Sequence, residues 1–140
     1  MKRFYDNFWF FPKQRWNIRN GRAEALFFDQ WHLGVLQVTA PADRPGRINR
    51  FFRDNPLPRL RKVKLVAKAY GREKGRNLLY VKVTDITGNT QFVISEAEGE
   101  KEYKEFIAKP TINREIVGVR IHNKKGTQAR YSEIVLSSKR

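Results

Sequence analysis

Cysteine is absent from the 140 residues, which removes disulfides, thiolate nucleophiles and cysteine-ligated zinc. Acidic residues are scarce: 14 Asp and Glu face 29 Lys and Arg, a net charge of +15. Long apolar runs are missing as well. The aromatic stretch Phe8-Trp9-Phe10-Phe11 falls far short of the ~20 residues that span a bilayer. Asp6, Asn7, Lys13 and Arg15 interrupt any apolar core of an export leader, so none is expected, and the expected location is a virion or the cytoplasm. The two histidines, His32 and His122, sit in no metal or nucleophile motif. No glycine-rich phosphate loop leads from a strand into a helix, and Asp6, Asp29, Asp85 and Glu133 show no telling spacing. These absences predict a chain that binds or assembles rather than one that catalyses.

Enough is present for a folded unit. Hydrophobic residues are 40% and aromatic residues 13% of a length that fits one domain, so disorder is not expected. A domain of this size buries ~68–70% of its unfolded-chain surface and needs no staple. The basic excess suits polyanions such as nucleic acid, acidic glycans or an acidic protein surface. A solvated, thermophile-like surface accounts for it equally well, because the charges are spread along the chain.

Alternation supplies the fold class. Val63, Leu65, Ala67 and Ala69 alternate with Lys62, Lys64, Val66, Lys68 and Tyr70, and period two puts one set inside. Leu79, Val81 and Val83 repeat the pattern against Tyr80, Lys82 and Thr84. A hairpin turn is predicted at Gly88-Asn89, with Phe92 and Ile94 behind it as core residues. Val117, Val119 and Ile121 form a further buried set, and Asn123-Lys124-Lys125-Gly126 turns the chain into a last strand, Arg130 to Leu136. Earlier strands are predicted over 23–28, 34–39 and 47–53, with the loop 40–46 and the break Asp54-Asn55-Pro56-Leu57-Pro58 between them. Short strands, regular turns and no convincing helix predict an all-β antiparallel sandwich.

The order of these features resembles the galactose-binding-like jelly roll of many carbohydrate-binding modules. Trp16 and Gly21-Arg22-Ala23 match its opening, Val63 to Tyr70 a middle strand, Tyr80 to Ile94 a hairpin, and Tyr103 to Phe106 a strand after an acidic loop. Glu133-Ile134-Val135-Leu136 matches its closing acidic-aliphatic-any-Leu pattern. The resemblance covers residues 16–140, read as one jelly-roll domain, and similar sandwiches occur among phage and virus decoration and tail proteins. It implies fold more than function. It also implies a structural calcium held by loop carboxylates, for which Asp6 and Glu133 are the candidates; no other cofactor is expected.

Residues 1–15 form an aromatic, basic arm. Phe4, Tyr5, Phe8, Trp9, Phe10 and Phe11 are too apolar to stay in water, so the arm either packs as a first strand or docks on a neighbouring subunit. For sugar stacking the exposed-aromatic candidates are Trp31, in a predicted loop, then Tyr70 and Tyr80, on what reads as adjacent strands. Arg44, Arg47, Arg50, Arg53, Arg59, Arg61 and Lys62 form the densest basic segment, suited to an acidic protein or to phosphates. Arm, charge and missing leader together predict a structural protein of a virus-like particle, oligomeric and docked on an acidic shell. Two alternatives stand beside it: a carbohydrate-binding module acting through exposed aromatics, and a nucleic-acid binder acting through the arginines.

Overall fold

The structure, a computed structural model, describes residues 1–29, 32–71, 79–97 and 102–140; of 27–29, 32–33, 70–71 and 96–97 it describes the backbone alone. Among the described residues eleven strands and one helical turn follow each other: β1 (Arg3–Asp6), α1 (Pro12–Arg15), β2 (Asn17–Arg19), β3 (Arg22–Asp29), β4 (His32–Thr39), β5 (Gly46–Phe51), β6 (Lys62–Gly71), β7 (Leu79–Asp85), β8 (Thr90–Ala97), β9 (Lys104–Ala108), β10 (Ile116–Asn123) and β11 (Thr127–Ser137).

All pairings are antiparallel and build two sheets. One runs β3-β4-β11-β6-β9 and the other β2-β5-β10-β7-β8. Strand β11 is the spine of the first: residues 128–131 pair with β4, and 134–137 pair with β1, past the end of the pairing with β4. The fold is the expected antiparallel jelly-roll sandwich.

Alternation places the core between the sheets. Val63, Leu65, Ala67 and Ala69 of β6 face Leu79, Val81 and Val83 of β7 across it, all buried. Val119 and Ile121 come from β10; Tyr131, Ile134 and Leu136 come from β11, where a register shift after Tyr131 keeps both apolar sets inside. The break at 54–61 is no gap in the core, since Leu57 and Leu60 are fully buried and bridge Ile116 and Ile112. The buried Tyr131 hydroxyl donates to Asn123 Oδ1 at 3.0 Å, and Asn123 Nδ2 donates to the carbonyl of Val38, so this polar pair is satisfied.

The aromatic arm divides. Strand β1 adds to the spine, and Phe4 stacks on Phe52 at 4.8 Å while Phe8 stacks on Trp16 at 5.4 Å. Tyr5, Phe10 and Phe11 stay exposed, and Trp9 lies edge-on to Phe10. Asp6 holds this region together: its carboxylate accepts hydrogen bonds from Phe8 N, Arg15, Trp16 Nε1 and Arg50.

Candidate functional site

The outer face of the five-stranded sheet carries the chemistry. Strand register lays its outward residues out in rows. Phe51, Gly118, Thr84 and Thr90 form the first row across β5, β10, β7 and β8. Asn17, Asn49, Arg120, Lys82 and Phe92 form the second, which starts on β2. Arg19, Arg47, His122 and Tyr80 form the third. Neighbours within a row stand roughly 5 Å apart and rows roughly 7 Å apart, so Phe51 and Phe92 are separated by roughly 15 Å.

Rings and cations interleave on this surface. Phe92 is 54% and Phe51 41% exposed. The Lys82 ammonium lies 4.5 Å from the Phe92 ring centre, and the Arg53 guanidinium 4.5 Å from that of Phe51. Gly118 lets the Phe51 ring lie down on β10, since a Cβ there would come within 2.6 Å of it. Tyr80 is half-buried, stacked on His122 at 4.4 Å, with Phe92 tilted against it at 5.7 Å.

Polar atoms without partners gather on the same surface. Among the described residues, the buried side-chain nitrogens and oxygens that make no hydrogen bond are Arg47 Nε, Asn49 Oδ1, Arg120 Nε and both nitrogens of His122. All belong to four side chains in adjoining rows. A buried polar group left unsatisfied costs about 1–3 kcal/mol, so such a cluster is a place to look for a ligand. His122 is pushed down to about 3, first by burial and then by Lys82, Arg47 and Arg120. It is therefore a neutral imidazole near neutral pH, with one nitrogen to donate and one to accept.

The residues singled out in the sequence are scattered over the molecule. Trp31 lies outside the described residues. Tyr70 and Tyr80 are not on adjacent strands: β6 belongs to one sheet and β7 to the other. Of the basic segment, Arg47 and Arg53 reach the face. Arg50 points inward to Asp6 at 2.6 Å, Arg59 donates to the carbonyl of Ser138, and Arg61 donates to those of Leu60 and Ile112. Arg44 lies on the exposed loop beside Asp43, and Lys62 lines a groove on the opposite sheet.

The calcium pair does not converge. Burial alone would raise the Asp6 pKa, but hydrogen bonds from Arg15, Phe8 N and Trp16 outweigh it and the net shift is downward, so its oxygens are committed. Glu133 faces outward and pairs with Lys64 at 2.8 Å. No group of three metal-ligating side chains occurs among the described residues. No helix there is long and apolar enough to cross a membrane.

Phe92 was expected in the core and lies on the face instead, because the β7–β8 pairing shifts register between Val81 and Lys82. Phe51, Asn49 and Arg120 carried no signal as site residues, although the alternation in β5 already separated Arg47, Asn49 and Phe51 from Ile48 and Arg50.

No family model matches the chain, and no curated protein matches it. Solved structures do. A variant of CBM29-2, a family 29 carbohydrate-binding module, superposes with a TM-score of 0.72 at 10% identity, covering 99% of this chain and 87% of that one. Another CBM29-2 variant, complexed with cellulohexaose, gives 0.69 at 10% identity over 98% and 92% of the two chains. The CBM22-1 xylan-binding domain of Paenibacillus barcinonensis Xyn10C gives 0.70 at 12% identity over 98% and 94%. At such identities the likeness establishes the jelly-roll fold. It also corrects the expectation of a virus-particle structural protein: the solved structures just described are named as binding modules for carbohydrate. The arm gives that expectation little support either, since Phe4 and Phe8 are committed to this chain's own core.

Proposed function

We propose that this chain is a non-catalytic glycan-binding module that holds its ligand on the outer face of the five-stranded sheet. The observation that carries the reading is the coincidence of exposed rings with buried, unpartnered polar atoms on one surface. Sugars present both features in complement: an apolar ring face for Phe51 and Phe92, and hydroxyls that donate to Asn49 Oδ1 and accept from Arg47 or Arg120. Because Phe51 and Phe92 are roughly 15 Å apart, the ligand is an oligosaccharide lying across β10 and β7 rather than a single sugar. The likeness to carbohydrate-binding modules supports this reading over the other fates of a basic sandwich.

Affinity electrophoresis against a panel of soluble polysaccharides tests it. Retention by at least one polymer is expected. Phe51→Ala and Phe92→Ala should each weaken it by a few-fold to tenfold, about 0.5–1.5 kcal/mol, with an unchanged melting temperature. Trp31→Ala is the comparison: loss there, with Phe51→Ala and Phe92→Ala both silent, moves the site to the β3–β4 connection.

A further inference from the structure

Like charges directly opposite one another on an antiparallel sheet repel. Two such pairs stand in adjoining rows of the glycan face. Arg19 of β2 is in register with Arg47 of β5, and Arg120 of β10 is in register with Lys82 of β7. None of the described side chains in the three rows is a carboxylate. The outer face of the other sheet also holds such a pair, Arg130 of β11 in register with Lys68 of β6, but carboxylates share that face: Lys64 pairs with Glu133, and Arg130 donates to Gln37. What sets the glycan face apart is that its rows hold cations with no carboxylate among the described side chains, beside buried polar atoms without partners.

Repelling pairs that no carboxylate in their rows offsets mark function more often than error. Resting on the glycan reading above, we infer that the ligand is an acidic polysaccharide, whose carboxylate or sulfate groups settle between Arg47, Arg120 and Lys82. The cations are placed for it. Lys82 lies over Phe92 and Arg53 over Phe51, so each exposed ring that takes a sugar face has a cation beside it for that sugar's acid. Arg47 and Arg120 each keep a buried Nε–H unspent. Asn49 Oδ1 needs a donor, which a sugar hydroxyl supplies and a phosphodiester backbone does not. This favours an acidic glycan over DNA.

The test uses matched polymers at about 0.15 M salt, where weak surface attraction is screened. Polygalacturonate and hyaluronan are each compared with their fully methyl-esterified forms. Heparin, cellohexaose, mannohexaose, xylan and DNA complete the set. At least one acidic glycan should bind, with affinity falling tenfold or more on esterification, or on desulfation where heparin is the polymer that binds. Arg47→Gln and Arg120→Gln should each weaken it at least tenfold, and Phe92→Ala should weaken it too. Both arginine variants should melt at or above the wild-type temperature, because each relieves a like-charge pair. A neutral glycan bound through Phe92 as tightly as any acidic one, and indifferent to Arg120→Gln, overturns the acidic assignment while the glycan reading stands. DNA binding as tight as glycan binding, and indifferent to Phe92→Ala, overturns it as well. Binding to none of the polymers overturns both.

Discussion

His122 is the most informative single residue on the face. It is 5% exposed, and both ring nitrogens lack hydrogen-bond partners. The groups around it come from three strands: Tyr80 and Lys82 from β7, Arg47 from β5 and Arg120 from β10. Burial and these cations depress its pKa from 6.5 to about 3, so the unfolded chain takes the proton far more readily than the folded one. Stability from the neutral ring is fully present above pH 6.5 and drains away as pH falls toward 3, at up to ~1.4 kcal/mol per pH unit. Asp6 acts in a lower window. Its pKa is depressed below 3.8, so its contribution is held above that value and lost beneath it. Wild-type protein should therefore lose melting temperature between pH 6.5 and 4, and His122→Gln should lose much less. Parallel curves for the two proteins would show that the ring carries no such linkage. In NMR titration the His122 resonances should show no step between pH 8 and 5.

At the scale of elements, the connection from β1 to α1 is the most constrained part of the fold. Phe8, Phe10 and Phe11 adopt left-handed backbone, with φ of 56°, 52° and 50°. Side chains other than glycine pay for that conformation, so the surroundings must impose it. Asp6 grips Phe8 N, Arg15 donates to the carbonyls of Trp9 and Phe10, and β4 lies directly beneath. Gly34 makes the fit possible, since a Cβ there would stand 2.6 Å from Phe8 O and 2.7 Å from Trp9 Cα. Both are backbone atoms that no rotamer change can move. Gly34→Ala should cost about 3 kcal/mol in chemical denaturation; a loss under about 0.5 kcal/mol would mean that the loop is free to lift. None of this clamp was legible in the sequence, because it joins Asp6, Arg15 and Gly34 through a turn type that carries no motif. The strands were legible where alternation is unbroken, as in β6 and β7. Alternation failed where register shifts: it puts Phe92 in the core with Ile94, and the shift between Val81 and Lys82 turns Phe92 out to the face. The period of a strand also tells its sides but not its neighbours. Tyr80 and His122 sit 42 positions apart in the chain, and only sheet order stacks them.

For the whole molecule, the question is whether a net charge of +15 or one arrangement of charges holds the ligand. Both outer faces are basic. On the six-stranded side a groove of about 290 Å³ is lined by Arg3, Lys62, Lys64, Lys139 and Arg140, with Glu133 tied to Lys64. The sheets stack roughly 10 Å apart, and outward side chains add to the separation, so the two sets of charges lie more than one Debye length (~8 Å) from each other at physiological salt. The summed field of all these charges accelerates encounter with any polyanion and fades with salt, whereas contacts at desolvated groups persist. Two triple variants separate the contributions, and each removes three positive charges. Arg3→Gln/Lys62→Gln/Lys139→Gln removes three of the groove's five cations; Arg47→Gln/Lys82→Gln/Arg120→Gln removes the three that the acid groups are placed between on the face. At low salt both should slow association with an acidic glycan to a similar degree. At about 0.3 M salt the groove variant should bind like wild type and the face variant should not bind measurably. Equal losses in the two variants at that salt would mean that diffuse charge does the holding, and that the rows on the five-stranded sheet are a basic surface like any other.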